Sequence, residues 1–360
     1  MTQDKNHFLS QKLLEWFSTN HRPMPWKGVR DPYIIWLSEI ILQQTTVAQG
    51  TAYFKKFRAR YPSVSDLANA PSDDVMKMWE GLGYYSRARN LHTTAKYIED
   101  DLNGLFPTTY DELLKLKGVG NYTAAAIASF AYNLPHAVLD GNVYRVLSRF
   151  FGIETPIDST EAKHQFTELA NTVLDKNPPA DFNQAMMDFG ATHCTPSNPK
   201  CLNCLLQPEC SAFKDKKVDI LPIKSKKMTR RTRFFNYFVI NEGSFVYIRK
   251  RTEKDIWQEL YEFPLLETEE QLNILRGVIL PNFPISLTEL KLVKQSQPYQ
   301  QLLTHQKIIA TFWEFEIPSS KIIVLESGSD FQKIERKKLE NFALPKTIDI
   351  YLKEKVLTLF

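Results

Sequence analysis

The 360-residue sequence lacks long apolar runs, a secretory leader and scattered cysteines. No stretch approaches the length of a membrane span, which argues against a membrane protein. The N-terminus M-T-Q-D-K-N-H has no apolar core of the kind that signal peptides carry, so we expect a cytoplasmic location. A large excess of one charge is also missing: the formal net charge of +4 permits binding to a polyanion without demonstrating it.

The chain is longer than one typical hydrophobic core supports, and its length therefore predicts two domains. Hydrophobic content of 43% and charged content of 24% are typical of a globular protein. The N-terminal half has helical periodicity almost throughout, whereas alternating β-branched and aromatic residues begin near position 234.

Two glycines in L-K-G-V-G-N-Y-T mark the turn of a helical hairpin. Gly118 and Gly120 lie between an apolar helix ending near Leu116 and an alanine-rich helix from about Asn121 to Tyr132. Glycine adopts positive φ there at little cost. The free N–H groups at the start of the second helix would form a seat for a phosphate. Taken alone, G-V-G fits an ordinary helical hairpin equally well.

Two carboxylates occupy unusual positions. Asp140 follows the apolar run A-V-L and precedes G-N, which places an acid near the phosphate seat. Because an acid there repels a DNA backbone, we predict a chemical role; the alternative is a helix-capping aspartate. Glu39 lies within an apolar helix opened by Asp31 and Pro32, where an unpaired carboxylate is costly and tends to have a raised pKa. A solvent-facing glutamate on a half-buried helix is the alternative.

Two further stretches carry side chains that are suited to binding nucleic acid. The pair Gln43-Gln44 offers hydrogen-bond donors and acceptors to a base edge. The stretch Y-Y-S-R-A-R from Tyr84 to Arg89 combines rings that stack on bases with cations that pair with phosphates. Tyrosine within a helical core is the commoner arrangement and remains the alternative.

All four cysteines lie between positions 194 and 210, spaced C-x6-C-x2-C-x5-C. Disulfides are not expected in a cytoplasmic protein, whereas four gathered thiolates suit a soft metal centre. Zinc usually takes short C-x2-C pairs, of which one is present, and a cubane 4Fe-4S cluster tolerates uneven spacing better. We therefore predict one cluster per chain, with zinc and unligated buried thiols as alternatives. Without a flavin or nicotinamide signature, a structural or DNA-sensing role is favoured over electron transfer.

The composition changes between positions 214 and 233, where nine lysines and arginines surround Pro222. This basic stretch predicts an extended interdomain linker that could also follow a phosphate backbone. An α+β domain is predicted beyond it. Its expected strands are 234–240, 244–251 and 307–317, and its expected helices are 269–278, 335–342 and 348–357.

Six motifs in order resemble the adenine DNA glycosylases of the MutY family, within the helix-hairpin-helix superfamily that includes endonuclease III. The resemblance covers nearly the whole chain, and these motifs are its most specific parts: P-W…D-P-Y…W-L-S-E-I-I-L-Q-Q-T at 25–45, W-E-G-L-G-Y-Y-S-R-A-R-N-L-H at 79–92, L-K-G-V-G-N-Y-T at 116–123, L-D-G-N-V at 139–143, F-N-Q-A-M-M-D-F-G-A at 182–191, and the four-cysteine loop.

The resemblance implies a multidomain fold. An all-α glycosylase domain with two helical lobes and an iron-sulfur loop is expected over 1–213, a linker over 214–233, and a Nudix-like α+β domain over 234–360. The segment E-E-Q-L-N-I-L-R-G-V-I lacks the R-E-x-x-E-E metal-binding pattern, so the second domain should bind an oxidised base without hydrolysing a nucleotide. The implied partner is double-stranded DNA carrying adenine opposite 8-oxoguanine or guanine. A monomer associated with the nucleoid is expected.

The implied chemistry is hydrolysis of the N-glycosidic bond of a flipped adenine, with two acids in separate roles. Glu39 would protonate N7 of adenine and then handle the water, and Asp140 would stabilise the sugar cation or bond to it transiently. The resemblance assigns the other roles as follows: Tyr122 and Asn142 support catalysis; Lys27, Gln44, Leu82, Tyr84, Gln184, Thr304 and His305 contact the substrate; Gly118 and Gly120 bind phosphate; Cys194, Cys201, Cys204 and Cys210 bind the cluster.

Two places in the sequence depart from patterns known in related enzymes, and the first bears on the type of reaction. Strand-cutting relatives carry a lysine where this chain has Tyr122, so base removal without a lyase step is expected. The C-terminal L-L-T-H at 302–305 replaces the phenylalanine and serine of the family's F-S-H motif but keeps a hydroxyl and an imidazole. The alternatives are an endonuclease III-like glycosylase-lyase and a non-enzymatic protein that binds damaged DNA.

Overall fold

The computed structural model describes residues 2–225, 229–272, 275, 278–280, 283–321 and 323–357. The chain divides into two compact units. The first, here the helical unit, comprises residues 1–69 and 90–226, and the second, here the sheet unit, comprises residues 70–89 and 227–360. Within the described residues, no helix combines the length and apolarity needed to cross a membrane.

Helices account for most of the helical unit, whereas α5 and α13 belong to the sheet unit and α6 begins there. The helices are α1 (Thr2–Thr19), α2 (Pro32–Leu42), α3 (Val47–Arg60), α4 (Val64–Ala68), α5 (Ser72–Trp79), α6 (Ser86–Leu102), α7 (Tyr110–Leu113), α8 (Asn121–Tyr132), α9 (Gly141–Phe151), α10 (Thr160–Val173), α11 (Pro179–Thr192), α12 (Ser211–Lys214) and α13 (Lys346–Leu357).

Helix α2 begins where its sequence signals predict. Asp31 is the N-cap and accepts a hydrogen bond from the Tyr33 amide at 2.9 Å, while Pro32 occupies the first helical position. Every residue from Tyr33 to Ile41 is buried. The solvent-facing alternative for Glu39 is therefore wrong, since that side chain lies within the packed stretch.

The predicted helical hairpin is formed by α7 and α8. Gly118 has φ +80°, and a Cβ there would lie 2.7 Å from the Asn90 Cβ. Both the backbone conformation and the lack of space therefore require glycine at this position. Gly120 is the N-cap of α8 with φ −96°, and no atom would approach an added Cβ within 4 Å. The expectation that both glycines need positive φ is therefore wrong for Gly120. The first hairpin helix ends at Leu113, slightly before the predicted Leu116.

One apolar core fixes the position of α9 within the helical unit. Helices α1, α9, α10 and α11 contribute fully buried leucine and phenylalanine side chains, each contributing about 1.5–3 kcal/mol through burial. Central members are Leu9, Leu13, Phe150, Phe166 and Phe189. Because α9 begins directly after Asp140, this packing also fixes the position of that carboxylate.

The strands of the sheet unit are β1 (Arg231–Glu242), β2 (Phe245–Lys250), β3 (Tyr261–Glu262), β4 (Leu265–Thr268), β5 (Lys291–Gln295), β6 (Tyr299–Leu302), β7 (Gln306–Glu316) and β8 (Phe331–Glu335). Within the described residues they form one mixed sheet with a central path β3-β2-β1-β7-β5. Strands β1 and β7 pair in parallel, and β6 and β7 form an antiparallel hairpin. Large side chains such as Phe238 and Trp313 fill the core.

The strand predictions place the main strands correctly but not all secondary structure. Strands β1, β2 and β7 include or overlap the predicted segments. The helix predicted over 269–278 is absent from the described part of that segment, and positions 273, 274, 276 and 277 lie outside the described residues. A 3₁₀ helix over Arg336–Asn341 replaces the α-helix predicted there, whereas α13 includes the predicted 348–357 helix.

The first part of the predicted linker packs on the helical unit. The Leu221 carbonyl accepts a hydrogen bond from the Arg149 guanidinium at 3.0 Å, and the Ile223 carbonyl accepts one from the Ile157 amide at 3.0 Å. Strand β1 already begins at Arg231. The linker is therefore not extended from 214 to 233, and Lys226 and Lys227 lie outside the described residues.

Candidate active site

Glu39 is a buried carboxyl group with one short hydrogen bond. Its side chain lies on α2, the residue is 6% exposed, and its Oε2 accepts the Tyr122 hydroxyl at 2.6 Å. The pKa of Glu39 is raised to about 7, mainly by burial; the Tyr122 hydrogen bond opposes the shift and the negative charge of Asp140 adds to it. A glutamic acid that titrates near neutral pH can donate a proton and take one back.

Asp140 is held differently, by donors rather than by an apolar wall. It is the N-cap of α9: Oδ1 accepts the Val143 amide at 2.7 Å and Oδ2 accepts the Asn142 side-chain amide at 2.6 Å. Burial raises the pKa of Asp140 above its ordinary value, and these hydrogen bonds oppose the rise. The capping alternative is therefore correct about geometry, yet it leaves a half-buried carboxylate beside the first turn of α9.

The two acids share one electrostatic neighbourhood. The charge of Asp140 contributes to the raised pKa of Glu39, and both acids help to raise the pKa of Tyr122, which burial raises most. Asn142 links Asp140 to Arg145, because its side-chain oxygen accepts a hydrogen bond from the Arg145 guanidinium at 2.8 Å. The sequence-predicted group of Glu39, Asp140, Tyr122 and Asn142 is thus brought together in the helical unit.

A cleft of about 1130 Å³ opens beside Glu39. Lys27 and Gln184, both predicted to contact substrate, line the same cleft. Its wall also carries Trp26, which packs edge-on against Phe54 at 5.2 Å between ring centroids. The cleft is larger than a nucleobase needs and brings aromatic, cationic and amide groups alongside the candidate acid.

Gln44 lies at the end of α2 and is exposed, with the left-handed φ of 55°. Few residues other than glycine adopt that conformation, which often marks a functional position. Its neighbour Gln43 instead hydrogen-bonds Thr123 on α8 at 3.3 Å. Of the predicted pair, Gln44 is therefore the one available to a ligand.

The sheet unit brings Tyr84 and Thr304 into direct contact. Their hydroxyl groups are hydrogen-bonded, although the residues are 220 positions apart. Thr304 and the exposed His305 lie in the turn of the β6–β7 hairpin. Tyr84 is 47% exposed and has φ 46°, whereas Leu82 is 7% exposed. Leu82 and Tyr84 are both predicted to contact the substrate, and of the two only Tyr84 presents a large exposed surface.

Helix α5 is attached to the strands of the sheet unit by polar contacts. Asp73 accepts hydrogen bonds from Lys250 at 2.5 Å and from the Tyr261 hydroxyl at 2.8 Å. Glu80 accepts the Leu344 amide at 2.9 Å. These contacts explain why residues 70–89 cluster with the C-terminal segment rather than with the neighbouring helices in sequence.

The four cysteines line one small cavity of about 30 Å³. The Arg149 guanidinium lies on the same cavity and donates to Cys194 Sγ at 3.4 Å. Among the described residues, no three histidine, cysteine or acidic side chains converge as they would around a single metal ion. In a cubane cluster each cysteine binds a different iron, so the sulfurs surround a volume instead of one point. The donor set and the cavity fit a 4Fe-4S cluster.

Sequence reasoning missed two residues that support this site. Arg145 donates to the Asn142 side chain, to the Gly190 carbonyl at 2.6 Å and to the Cys194 carbonyl at 2.7 Å. A Cβ at Gly190 would lie 2.7 Å from the Asn142 Cβ, so glycine permits α11 to approach α9. Arg145 could have been found from the sequence, because an arginine at a buried position of the apolar periodicity of α9 is unusual. No local signal marked the glycine.

Comparison with known proteins first defines the class. Residues 37–172 match the HhH-GPD superfamily of base excision DNA repair proteins, and residues 236–354 match the NUDIX domain. The solved structure of a thermostable thymine-DNA glycosylase is 32% identical, with a TM-score of 0.56, and the match covers 59% of this chain and 99% of that one. Fold and site therefore define a helix-hairpin-helix DNA glycosylase with an added Nudix-like domain, as the motifs predicted.

Two relatives from Buchnera aphidicola identify the family within this class. The adenine DNA glycosylase of Buchnera aphidicola subsp. Acyrthosiphon pisum is 36% identical over 266 residues, covering 74% of this chain and 76% of the relative. That of Buchnera aphidicola subsp. Schizaphis graminum is 38% identical over 264 residues, covering 73% and 76%. The chain belongs to the MutY family of adenine DNA glycosylases, and the family predicted from its motifs is confirmed.

Proposed function

We propose that this enzyme removes adenine paired with 8-oxoguanine or guanine from double-stranded DNA, hydrolysing the N-glycosidic bond of the flipped base without cutting the strand. The observation that carries the proposal is Glu39: a buried carboxyl group with a pKa of about 7 on the wall of a cleft that can admit a base. Such a group is protonated in a large fraction of molecules at neutral pH and is positioned to act as an acid.

Glu39 supplies the proton for the leaving group. Its carboxyl proton passes to N7 of adenine, and the bond between C1′ and N9 breaks with the electron pair leaving on the base. A water molecule then adds to C1′ and gives a proton to the Glu39 carboxylate, which restores the acid. The Tyr122 hydroxyl donates to Oε2 of Glu39, which leaves the other carboxyl oxygen to carry the proton.

Asp140 stabilises the positive charge that develops on the sugar. The Asn142 amide and the Val143 amide hold its oxygens in fixed directions, so the carboxylate is preorganised before the base leaves. Its hydrogen bonds oppose the rise of its pKa, which favours the charged form that this role needs. Direct transient bonding between Asp140 and C1′ is compatible with the same placement.

The absence of a lyase step is supported by the residues at the site. A lyase needs an amine that attacks the sugar, and this chain has Tyr122 where strand-cutting relatives carry lysine. Lys27 is the lysine on the cleft nearest in sequence to Glu39, and its ammonium group is paired with Asp188 at 2.5 Å. Burial lowers the pKa of Lys27, and the pairing with Asp188 opposes that shift and so disfavours the neutral, nucleophilic form.

The opposite base is read by the β6–β7 hairpin together with Tyr84. We propose that Tyr84 enters the gap left by the flipped base. The hydrogen bond between Tyr84 and Thr304 supports joint action, because it joins Tyr84 to the proposed recognition turn. His305 is exposed and offers hydrogen-bonding groups to an oxidised guanine. Gln44 of the helical unit is also exposed, and we propose it separately as a substrate contact. Leu82 is buried and would need to move to enter the DNA stack.

Phosphate binding is proposed at the start of α8. No side chain caps this helix at Gly120, so its first amide groups are left for an acceptor. Gly118 permits the tight turn that presents them.

We further propose that residues 1–213 and 234–360 serve as the glycosylase and recognition domains, and that the enzyme acts as a monomer.

A 4Fe-4S cluster is proposed at Cys194, Cys201, Cys204 and Cys210. When bound it would fix the loop that carries these cysteines, and no step of base removal passes through it. Protein purified without oxygen is expected to absorb as iron-sulfur proteins do and to contain iron and acid-labile sulfide in equal amounts. Stoichiometric zinc without sulfide would contradict the assignment.

The direct test uses duplexes with one adenine opposite 8-oxoguanine. Purified enzyme is expected to release adenine, with strand breaks only after alkali and no abundant borohydride-trapped adduct. Alkali-independent breaks with trapping would support the glycosylase-lyase alternative. Binding to the duplex without adenine release would support the non-enzymatic alternative.

A further inference from the structure

A buried acid, Asp188, lies behind the wall of the cleft and pairs with the wall residues Lys27 and Arg22. The proposed reaction does not use it. It lies on α11 and is 1% exposed. One carboxylate oxygen accepts a hydrogen bond from Lys27 at 2.5 Å, and the Arg22 guanidinium lies 3.6 Å from the other. Two nearby cations keep this buried carboxylate charged, because ionised acids inside a protein persist only when they are paired.

Gln184 lies one helical turn before Asp188 on the same face of α11. Its amide nitrogen is 3.4 Å from Oδ1 of Asp188. An ionised carboxylate has no proton to donate, so an amide facing it must present its NH₂ group. Gln184 also lines the cleft, and the amide group that remains for a ligand there is therefore its carbonyl oxygen.

We propose that Asp188 is a positioning residue that fixes the Gln184 amide so that the cleft presents a hydrogen-bond acceptor to the 6-position of the purine. This inference rests on the proposed function. Adenine carries an amino group at that position and can donate to the acceptor, whereas guanine and hypoxanthine carry a carbonyl oxygen that it would repel. The device would spare guanine, the other purine in normal DNA.

The charge of Asp188 is essential to this arrangement. If the residue were neutral and able to donate, the Gln184 amide could rotate and offer either end to the base. Lys27 pairs with the same carboxylate, so the cation and the amide are both positioned by one side chain. Sites that hydrogen-bond one substrate group reject analogues lacking it more strongly than apolar pockets do.

The test compares adenine, purine without a 6-substituent, and hypoxanthine, each placed opposite 8-oxoguanine. Single-turnover release is measured for the wild type and for Asp188→Asn. Asparagine keeps the shape but can donate as well as accept, so the adenine-to-purine rate ratio should fall about tenfold. Intrinsic differences between the bases cancel because ratios are compared across variants.

The same substitution made in a variant without the Gln184 amide separates positioning of that amide by Asp188 from a general structural effect. Gln184→Leu removes the amide, and in this background Asp188→Asn should leave the ratio unchanged. An equal change with and without the amide, or no change in the wild-type background, would overturn the proposal.

If Asp188→Asn does not fold, Gln184→Leu still tests the amide orientation that the proposal requires. With the amide oxygen facing the base, the wild type should disfavour hypoxanthine relative to purine more than Gln184→Leu does. A wild type that favours hypoxanthine relative to the leucine variant would show the amide in the opposite orientation and refute the inference. Failure of the wild type to release adenine from any duplex would instead refute the proposed function.

Discussion

Two buried glutamates, one in each unit, have opposite surroundings. Glu39 in the helical unit contacts the Tyr122 hydroxyl, and no ion pair to it is found among the described residues. Glu262 in the sheet unit is 0% exposed and receives hydrogen bonds from two guanidinium groups, Arg249 and Arg251, at 2.9–3.1 Å. The chain thus neutralises one buried acid with cations and leaves the other to titrate.

The difference shows that burial alone does not identify a catalytic acid. A paired buried acid satisfies its charge locally and contributes to holding the sheet together. An acid left with one hydroxyl donor is held in a costly state, which proteins retain mainly where the shifted pKa is used. Breaking each arrangement should therefore affect different properties.

The largest expected effect is on catalysis by Glu39→Gln. Glutamine keeps the shape and can accept from Tyr122 but cannot donate a proton to adenine. Release of adenine under single-turnover conditions should fall about 10³-fold, the range for general acids. Affinity for a duplex containing the mismatch should be retained, as measured by a gel-shift titration.

The exposed Glu168 on α10 provides a matched control. Its side chain is 70% exposed, so Glu168→Gln should leave the rate within about twofold of the wild type, as surface substitutions usually do. If Glu39→Gln retained the wild-type rate, or if it lost affinity together with rate, the acid role would be wrong.

The next effect concerns stability and has opposite signs in the two units. Glu262→Gln leaves two arginines without their shared acid, and the free energy of unfolding should fall by about 3 kcal/mol at neutral pH. Glu39→Gln removes a titrating group whose pKa rises from an ordinary 4.5 to about 7 on folding. The stability that Glu39 contributes is present below about pH 4 and lost as pH rises through about 7.

Relative to the wild type, Glu39→Gln should therefore gain about 3 kcal/mol between about pH 4 and about pH 8. Urea unfolding of both variants at several pH values measures this. A Glu39→Gln variant whose difference from the wild type is independent of pH would contradict the shifted pKa. A Glu262→Gln variant as stable as the wild type would remove the contrast between the two acids.

The smallest expected effect is on recognition of the opposite base. His305→Ala should lower the preference for 8-oxoguanine:adenine over guanine:adenine about fivefold, the worth of one hydrogen bond. Tyr84→Phe, which loses only the hydroxyl contact with Thr304, should lower it less. The exposed His164 on α10 serves as the control, and His164→Ala should leave the ratio unchanged. An unchanged ratio for His305→Ala would remove the hairpin turn from recognition.

The sequence predicted features that depend on neighbours along the chain. The apolar run around Glu39 predicted its burial, and Asp31-Pro32 predicted where α2 begins. The glycine at position 118 predicted the hairpin turn. Each of these depends on local periodicity or backbone conformation, which a single sequence displays directly.

Features set by distant partners could not be predicted in this way. The pairing of Glu262 with Arg249 depends on the register of β3 against β2. Lys27 and Asp188 are 161 positions apart, and their contact depends on the packing of α11. The clustering of residues 70–89 with the sheet unit depends on contacts from Asp73 to Lys250 that no local pattern marks.

The pH dependence of single-turnover adenine release tests the central claim most directly. With Glu39 protonated below a pKa of about 7, the rate should fall about tenfold per unit as pH rises above that value. The profile should be measured on a duplex with adenine opposite 8-oxoguanine, with binding saturated at every pH. A rate that stays constant to about pH 9 would contradict the assignment of Glu39 as the acid.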